Sequence, residues 1–316
     1  MLAVHADWSV DGRKRWMVQA RREGDAWVVA APEMVGELAT LFGRLRAAGE
    51  PVALGVDLPL GLPRRYAQRH VREADFPSFL RGLAGRPDFF SVCAGLEQLH
   101  PGRPFYPARG VKGMSRVSHA LALGLDDAQG LSRLCDRATA IRPAGAPLFW
   151  TLGANQTGKA AIAAWRDLLV PALAGPAPPA LWPFMGDFRA LLAAHPLVLA
   201  ETYPAEGMRH LGLRMGGSKR RQVDRGALAG GLLAAMGALG ARPSDAMAAT
   251  IADGFGADAA GEDRFDATIG VLAVINVLEG HRPDGIPDDP WLRRWEGWVL
   301  GQTELPAMRP PPPGGA

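Results

Sequence analysis

The first sixty residues alternate short apolar segments with polar turns, which is the pattern of β-strands. Asp11-Gly12 is a hairpin-turn dipeptide, and the charged residues 21–25 provide a second turn. Three strands joined by turns this short form an antiparallel meander. The strands predicted in this way are residues 2–6, 15–20 and 26–30.

A helix and a buried strand are predicted to follow the meander. Leucine and phenylalanine recur at helical spacing between residues 38 and 45, in a helix expected to begin at Pro32 and to end before Gly49. Residues 52–58 are almost continuously apolar, which indicates a strand covered on both faces.

The chain after residue 60 is predicted to be mostly helical. From residue 60 to about 196, Pro and Gly are frequent and strand signals are few, which indicates a helical insertion. The apolar segment at residues 197–202 predicts that the sheet resumes there. The predicted helices are residues 160–173, 184–194, 220–239 and 265–278.

These elements predict an α/β fold, with a mixed sheet and helices on both of its faces. Its core combines residues 1–60 and 197–300, and residues 61–196 form the mostly helical insertion. The Pro- and Gly-rich tail, residues 306–316, has too few apolar side chains to pack and is predicted to be disordered.

Composition narrows the class of protein. Of 316 residues, 48% are apolar and 21% charged, as in a folded soluble protein, and a net charge of +3 does not by itself indicate nucleic-acid binding. Two cysteines exclude a disulfide framework, and the histidines show no zinc-binding spacing. Without a signal core or a membrane-spanning segment, we expect a cytoplasmic protein with no membrane partner; its oligomeric state stays open.

Carboxylates end or interrupt apolar segments at four places. Asp7 follows LAVHA and Asp57 follows VALGV. Glu201 follows LVLA, while Asp263 and Asp266 open an apolar helix. Burying an unpaired carboxylate is costly, and a cluster of carboxylates repels itself. Because Mg²⁺ and Mn²⁺ prefer oxygen ligands and relieve both problems, we predict that these five acids form a divalent-metal site.

Each acid also has a structural explanation. Asp7 fits a solvent-facing strand position, and Asp57 fits the cap of a turn. Glu201 fits an ion pair with an arginine such as Arg209. Asp263 fits the N-cap of the last helix, with the next acid three residues on as in a capping box. The metal prediction therefore depends on all four places together.

The acids lie in four short motifs, which are AVHADWS (3–9), GVDLPLGLP (55–63), AETYP (200–204) and EDRFDATIGVLA (262–273). With the predicted element order, these motifs resemble the RNase H-like fold and, more narrowly, domain-of-unknown-function family 429, a group of predicted RNase H-like nucleases. The resemblance covers about half of the chain, residues 1–63 and 197–280. Two features depart from it: Trp8 follows the first acid where many relatives have a Gly-rich turn, and the insertion lies outside the minimal fold.

The resemblance implies a site and an activity. Asp7, Asp57, Glu201 and Asp266 would be metal-site acids, with Asp263 as an accessory. The activity implied is metal-dependent cleavage of nucleic acid, either DNA or RNA.

A phosphate-binding pattern lies in the insertion. Residues 153–159, GANQTGK, match the GxxxxGK spacing, and residues 148–152 would be the preceding strand. Ala160 stands where a nucleotide-binding loop carries the Ser or Thr that holds Mg²⁺, which argues against such a loop. Two interpretations stay open: a surface loop, or phosphate and base contacts at a helix N-terminus, made by Asn155, Gln156 and Lys159.

A compact basic segment, SKRR at residues 218–221, follows the AETYP motif. Its Lys219 and Arg220 are candidates for contacts to a phosphate backbone. The alternative is the solvated start of a helix.

The sequence as a whole predicts a nuclease or a related phosphodiester hydrolase that uses Mg²⁺ or Mn²⁺. Asp7, Asp57 and Asp266 would hold the ions, and Glu201 would hold the second ion or orient the attacking water. Two alternatives stay open. One is an ATP-using phosphotransferase of the actin and sugar-kinase type, which also has an aspartate on its first strand. The other is a nucleic-acid-binding module without catalysis.

Overall fold

A mixed sheet of eight strands forms the centre of the computed structural model, which describes residues 1–153 and 157–306. The strands are β1 (Leu2–Asp7), β2 (Trp16–Glu23), β3 (Ala26–Val29), β4 (Glu33–Met34), β5 (Val52–Val56), β6 (Ala180–Leu181), β7 (Leu197–Glu201) and β8 (Ala241–Pro243). Their order is β6-β7-β5-β1-β2-β3-β8, and β4 pairs with β2. β1, β2 and β3 are antiparallel, whereas β5 and β7 run parallel to β1.

Helices cover both faces of the sheet, and a hydrophobic cluster lies under each face. Segments of π-helix follow α5 at Trp165–Leu169 and lie near the C-terminus at Leu292–Glu296. The α-helices are α1 (Leu38–Arg46), α2 (Arg64–His70), α3 (Phe76–Gly82), α4 (Arg116–Ala122), α5 (Thr157–Ala164), α6 (Val170–Ala174), α7 (Phe188–Ala194), α8 (Pro204–His210), α9 (Gln222–Gly226), α10 (Ala229–Ala238), α11 (Asp245–Ala252) and α12 (Gly261–Leu278).

The α/β class and the order of the predicted elements are confirmed. The differences lie at the ends of elements, in one divided helix and in short strands that were not predicted. Helix α1 begins at Leu38 rather than Pro32, because Glu33–Met34 pairs with β2 instead. The helix predicted over 220–239 is divided into α9 and α10. β8 was not predicted, since its three residues form a strand only by pairing with β3.

The segment between β5 and β7 shares its core with the sheet. It contains helices α2–α7, and the apolar side chains of α2–α6 join the same cluster as those of β1 and β5. The insertion also adds β6 to the edge of the sheet beside β7. The tail predicted to be disordered lies outside the described residues from residue 307 onward. Nowhere in the described chain is a helix long and apolar enough to cross a membrane.

β1 and α12 make an unusually close contact at His5 and Gly270. His5 is fully buried on β1, and burial lowers the pKa of its imidazole to about 3, so the ring is neutral. A Cβ atom on Gly270 would lie 2.2 Å from His5 Cγ. Glycine at this helix position therefore lets α12 approach the sheet.

We predict that Gly270→Ala destabilises the protein by about 1–3 kcal/mol, because the added methyl overlaps a ring that has no space to move into. Urea unfolding of the parent and the variant measures this change. Gly237→Ala on α10, where a Cβ meets nothing within 4 Å, is the matched control and should not destabilise the protein. Equal stability of the parent and Gly270→Ala would contradict the predicted close contact.

Candidate active site

Asp7 and Asp57 lie side by side at the carboxyl ends of two neighbouring parallel strands. Ala6 pairs with Val56, so the next residue on each chain is an aspartate at the same level. The Asp57 N–H donates to the Ala6 carbonyl at 3.1 Å. Side chains alternate along a strand, so Asp7 shares the face of His5, and this face packs against α12.

Helix α12 carries the third acid. Asp266 lies one helical turn before Gly270, on the stripe that contacts β1, and this turn brings it near Asp7. Asp263 lies a further turn towards the N-terminus. The helix begins at Gly261, with Ala260 at the N-cap position and no side-chain cap. The predicted N-cap role of Asp263 is therefore wrong: the helix starts earlier, and both acids are inside it.

Burial and mutual repulsion raise the pKa of every acid in this group. Burial raises the pKa of Asp7 well above its usual value, and the charges of Asp266 and Asp57 add to the shift. Burial and Asp266 raise the pKa of Asp57 to about 7. Burial is also the main cause that raises the pKa of Asp263 to about 6. Ionised carboxylates this close repel one another at neutral pH, and a bound cation would relieve the repulsion.

Lys219 supplies one positive charge to the group from the loop before α9. Its ammonium contacts the Asp266 carboxylate, and it lies 3.4 Å from Glu262. Burial is the largest single influence and lowers the pKa of Lys219, but the charge and hydrogen bond of Asp266, together with the charges of Glu262 and Asp57, outweigh burial and raise it. Arg220 is 79% exposed and lies 3.7 Å from Glu262. Of the basic segment, Lys219 therefore contacts the acids, and Arg220 extends towards solvent.

Glu201 is separated from the other acids by the register of β7. It pairs with Val56, one residue before Asp57, so its side chain belongs to the opposite face of the sheet. There Arg133 of the insertion donates to both Glu201 oxygens, at 2.6 and 2.7 Å. The Leu60 N–H donates a third hydrogen bond at 2.7 Å. Glu201 is therefore held in a buried ion pair near the site.

The arginine predicted to pair with the β7 acid lies elsewhere, because Arg209 contacts Glu206 at 3.0 Å. Glu206, His210 and Glu304 place ligand atoms within 4.8 Å of one another, which no other such group does in residues 1–153 and 157–306. Arg142 also lies 3.4 Å from Glu206. Because arginines already neutralise this carboxylate, we assign no metal to this group.

A cavity of about 630 Å³ adjoins Asp57. The β1–β2 turn lines one wall, and the insertion provides another through the segment around Arg133 and the first turn of α5. Lys14 and Lys159 also line the cavity, so its lining includes ammonium groups as well as the acids Asp57 and Glu201. Such a surface suits an anionic ligand that approaches Asp57.

The GxxxxGK segment does not have the context of a nucleotide-binding loop. Residues 148–152 form no strand in the described chain, and Trp150 makes only an isolated bridge with Tyr106. Lys159 lies in the first turn of α5 and lines the cavity, as a phosphate contact would require. Asn155 and Gln156 lie outside the described residues.

Sequence reasoning missed three residues near the acids. Tyr203 lines the cavity close to Asp57: burial raises its pKa, and the Asp57 charge raises it further. The sequence could have indicated Tyr203, because it belongs to the same AETYP motif as Glu201. Lys14 and Arg133 had no local signal, because only the folded chain brings the β1–β2 turn and the insertion to the acids.

Comparisons with known proteins return no match. No protein-family model, no curated protein and no solved structure is significantly similar to this chain. What the site does is therefore argued from its own residues.

Proposed function

We propose that this chain is a divalent-metal-dependent phosphodiester hydrolase of the nuclease type, in which Asp7, Asp57 and Asp266 hold Mg²⁺ or Mn²⁺. One observation carries the proposal: three carboxylates from two strand ends and a helix share one face, and the Lys219 ammonium contacts one of them, Asp266. Structural acids are normally paired one to one, so this excess of negative charge favours a bound cation.

The arrangement of elements supports an RNase H-like core of the family-429 kind. An antiparallel meander, β1 to β3, is followed by β5 and β7 parallel to β1, and the last long helix packs on β1. This is the order that the four sequence motifs led us to expect. The large insertion is the main departure from that minimal fold.

The donor set fits a hard cation in its chemistry. All three ligands are carboxylate oxygens, which Mg²⁺ and Mn²⁺ prefer. Burial is the main cause that raises their pKa values, and the charges of neighbouring acids add to the shift. A bound cation offsets both effects. Their oxygens do not all lie within 4.8 Å of one another, and Lys219 holds Asp266. Metal binding therefore requires the carboxylates to converge and Lys219 to move aside.

The bound ions would activate a water and stabilise the leaving oxygen. The remaining roles belong to the chain itself. Asp57 is the acid that also lines the cavity, so it faces the substrate. Lys14 and Lys159 would bind the phosphate group, and Arg133 holds the Glu201 carboxylate in an ion pair beside the cavity. An accessory role fits Asp263, which lies one helical turn before Asp266, and Arg220, which lies 3.7 Å from Glu262.

A phosphotransferase that uses ATP is the second candidate, because Ser9 and Asp11 of the β1–β2 turn line the cavity directly after Asp7. Release of phosphate from ATP, with transfer to a hydroxyl acceptor, would favour it over the hydrolase. The binding module without catalysis predicts salt-sensitive affinity for nucleic acid and no cleavage with any metal.

We predict that the metal-free parent binds Mn²⁺ and that Asp57→Asn does not, because the substitution removes one ligand and its charge. Calorimetric titration measures the loss. Asp126→Asn is the matched control, since this carboxylate is exposed and does not line the cavity. Equal Mn²⁺ binding by the parent and Asp57→Asn would remove Asp57 from the proposed metal site.

A further inference from the structure

Lysine is rare in this chain, which has four lysines among its 35 Lys and Arg residues. Three of the four lie at the proposed site: Lys219 contacts Asp266, while Lys14 and Lys159 line the cavity. The fourth, Lys112, is exposed and does not line it. A lysine ammonium is a compact charge on a flexible stem, which suits a phosphate group that must bind and then leave.

The cavity is small and bounded by the insertion. Its volume of about 630 Å³ is within the roughly 300–1,000 Å³ of small-molecule sites. A double helix is bound over a wide open surface and not in a cavity, since specific protein–DNA interfaces bury about 1,000–2,500 Å² of protein area. Residues 133–146 and the start of α5 stand beside Asp57, where a double helix would need open surface.

Two buried polar groups at the cavity have no partner in the described chain. The Trp8 indole N–H and the Thr202 hydroxyl are both unpaired, although these residues are only 8% and 2% exposed. Both residues line the cavity. Buried polar groups normally have hydrogen-bond partners, and a ligand with acceptor atoms would supply the partners that these two groups lack in the described chain.

We infer that the cavity takes a single nucleotide-sized phosphoester, with its phosphate bound by Lys14 and Lys159 beside Asp57, and that it excludes a double helix. The nucleotide is either free or the end of a single strand, since both present the same phosphate, sugar and base. This inference rests on the proposed function for its chemistry, but the binding it describes needs no turnover.

The test is calorimetric binding of three probes in Mg²⁺: adenosine 5′-monophosphate, a single-stranded dT12 oligonucleotide, and a 12-base-pair duplex. We expect the duplex to bind at least 100-fold more weakly than the tighter of the other two. Stronger binding of the monophosphate identifies a free nucleotide as the ligand, and stronger binding of dT12 identifies a strand end. Preference for the duplex would overturn the inference.

Lysine variants test the phosphate contacts. Lys14→Met and Lys159→Met should each weaken the better probe at least tenfold, whereas Lys112→Met, which removes the same charge elsewhere, should leave its affinity unchanged. Both target side chains are at least partly exposed, so the variants should fold, and thermal melting verifies this. Equal weakening by all three variants would overturn the inference, because it would indicate a general charge effect.

Salt dependence provides a readout that does not depend on any variant. Two phosphate contacts to a single strand predict that log K falls with log[salt] with a slope of about −1.4. A slope near −6 for dT12 would indicate an extended binding track and would overturn the inference. Tight, lysine-dependent binding without metal-dependent hydrolysis would instead refute the proposed function and leave this inference standing.

Discussion

We expect the Asp57→Asn protein to lose the proposed metal-dependent phosphodiester hydrolysis, with kcat/KM at least 10³-fold lower, and its metal-free form to be more stable than the parent at pH 8. The loss of activity follows because Asp57 is the acid shared by the proposed metal site and the cavity. Removing a ligand from a catalytic ion forfeits several kcal/mol of transition-state stabilisation. The gain in stability follows because a buried charge with like-charged neighbours opposes folding.

The sign of the pH dependence follows from the pKa of Asp57. Its folded value of about 7 is higher than the 3.8 of the unfolded chain, so the folded protein binds the extra proton between these values. Protonation of Asp57 therefore contributes its full stabilisation to the metal-free parent below about pH 4, and this contribution is lost as pH rises to 7. The full effect at pH 8 is on the order of 2–4 kcal/mol.

Melting temperatures in EDTA between pH 5 and pH 8 measure this effect, and initial rates with Mn²⁺ on a phosphodiester measure the activity. The parent should melt progressively lower as pH rises, and Asp57→Asn should show a flatter curve. Asp126→Asn should behave as the parent does. An Asp57→Asn protein that hydrolyses at the parental rate would refute the catalytic assignment, and one that melts below the parent would refute the electrostatic argument.

Replacing Arg133 by Met should destabilise the protein by about 3–5 kcal/mol, the largest loss of stability that we predict. The Arg133 guanidinium is buried and donates to both oxygens of Glu201, to Asp136 and to the Leu60 carbonyl. Methionine fills a similar volume but leaves the Glu201 carboxylate buried without its cation. Because Arg133 belongs to the insertion and Glu201 to β7, the loss should also loosen the wall of the cavity.

Urea unfolding measures this change, and a second substitution separates charge from packing. Glu201→Gln removes the charge but keeps an acceptor for the Leu60 N–H, so the double variant Arg133→Met/Glu201→Gln should recover most of the lost stability. Arg13→Met is the control, since this arginine is exposed and pairs with Asp11 at the surface. No recovery in the double variant would show that the stabilisation comes from packing rather than from the ion pair.

Local pattern was enough to predict the five longest of the eight strands of the central sheet and the positions of three acids beside them. The alternation of apolar residues before Asp7, the buried segment before Asp57 and the apolar helix after Asp263 are each contained in about twenty residues. Strand and helix formation depends on such local periodicity, so β1, β5 and α12 were expected close to where they lie. The carboxyl ends of parallel strands meet at one edge, which is why Asp7 and Asp57 come together.

The side of the sheet on which an acid lies was decided by tertiary structure. Glu201 ends its strand as Asp7 does, and the two positions look equivalent in the sequence. Glu201 pairs with Val56, one residue before Asp57, so its side chain lies on the opposite face, towards Arg133. Thr202 is the residue of this chain segment at the level of Asp57. Strand register depends on how whole strands pack, and a shift of one residue reverses every side chain.

The start of the last helix and the cations of the site also required the folded chain. Asp263 has the sequence of an N-cap, but the helix begins before it, at Gly261. The cations of the cavity are far apart in the sequence, since Lys14 lies more than a hundred residues before Arg133 and Lys159. Only the folded insertion brings the three to one cavity. By itself, the sequence thus determined which residues could do chemistry at the ends of its strands, because periodicity and charge are local. Tertiary structure decided which of them share a face and what faces them, because register and long-range packing belong to the whole chain.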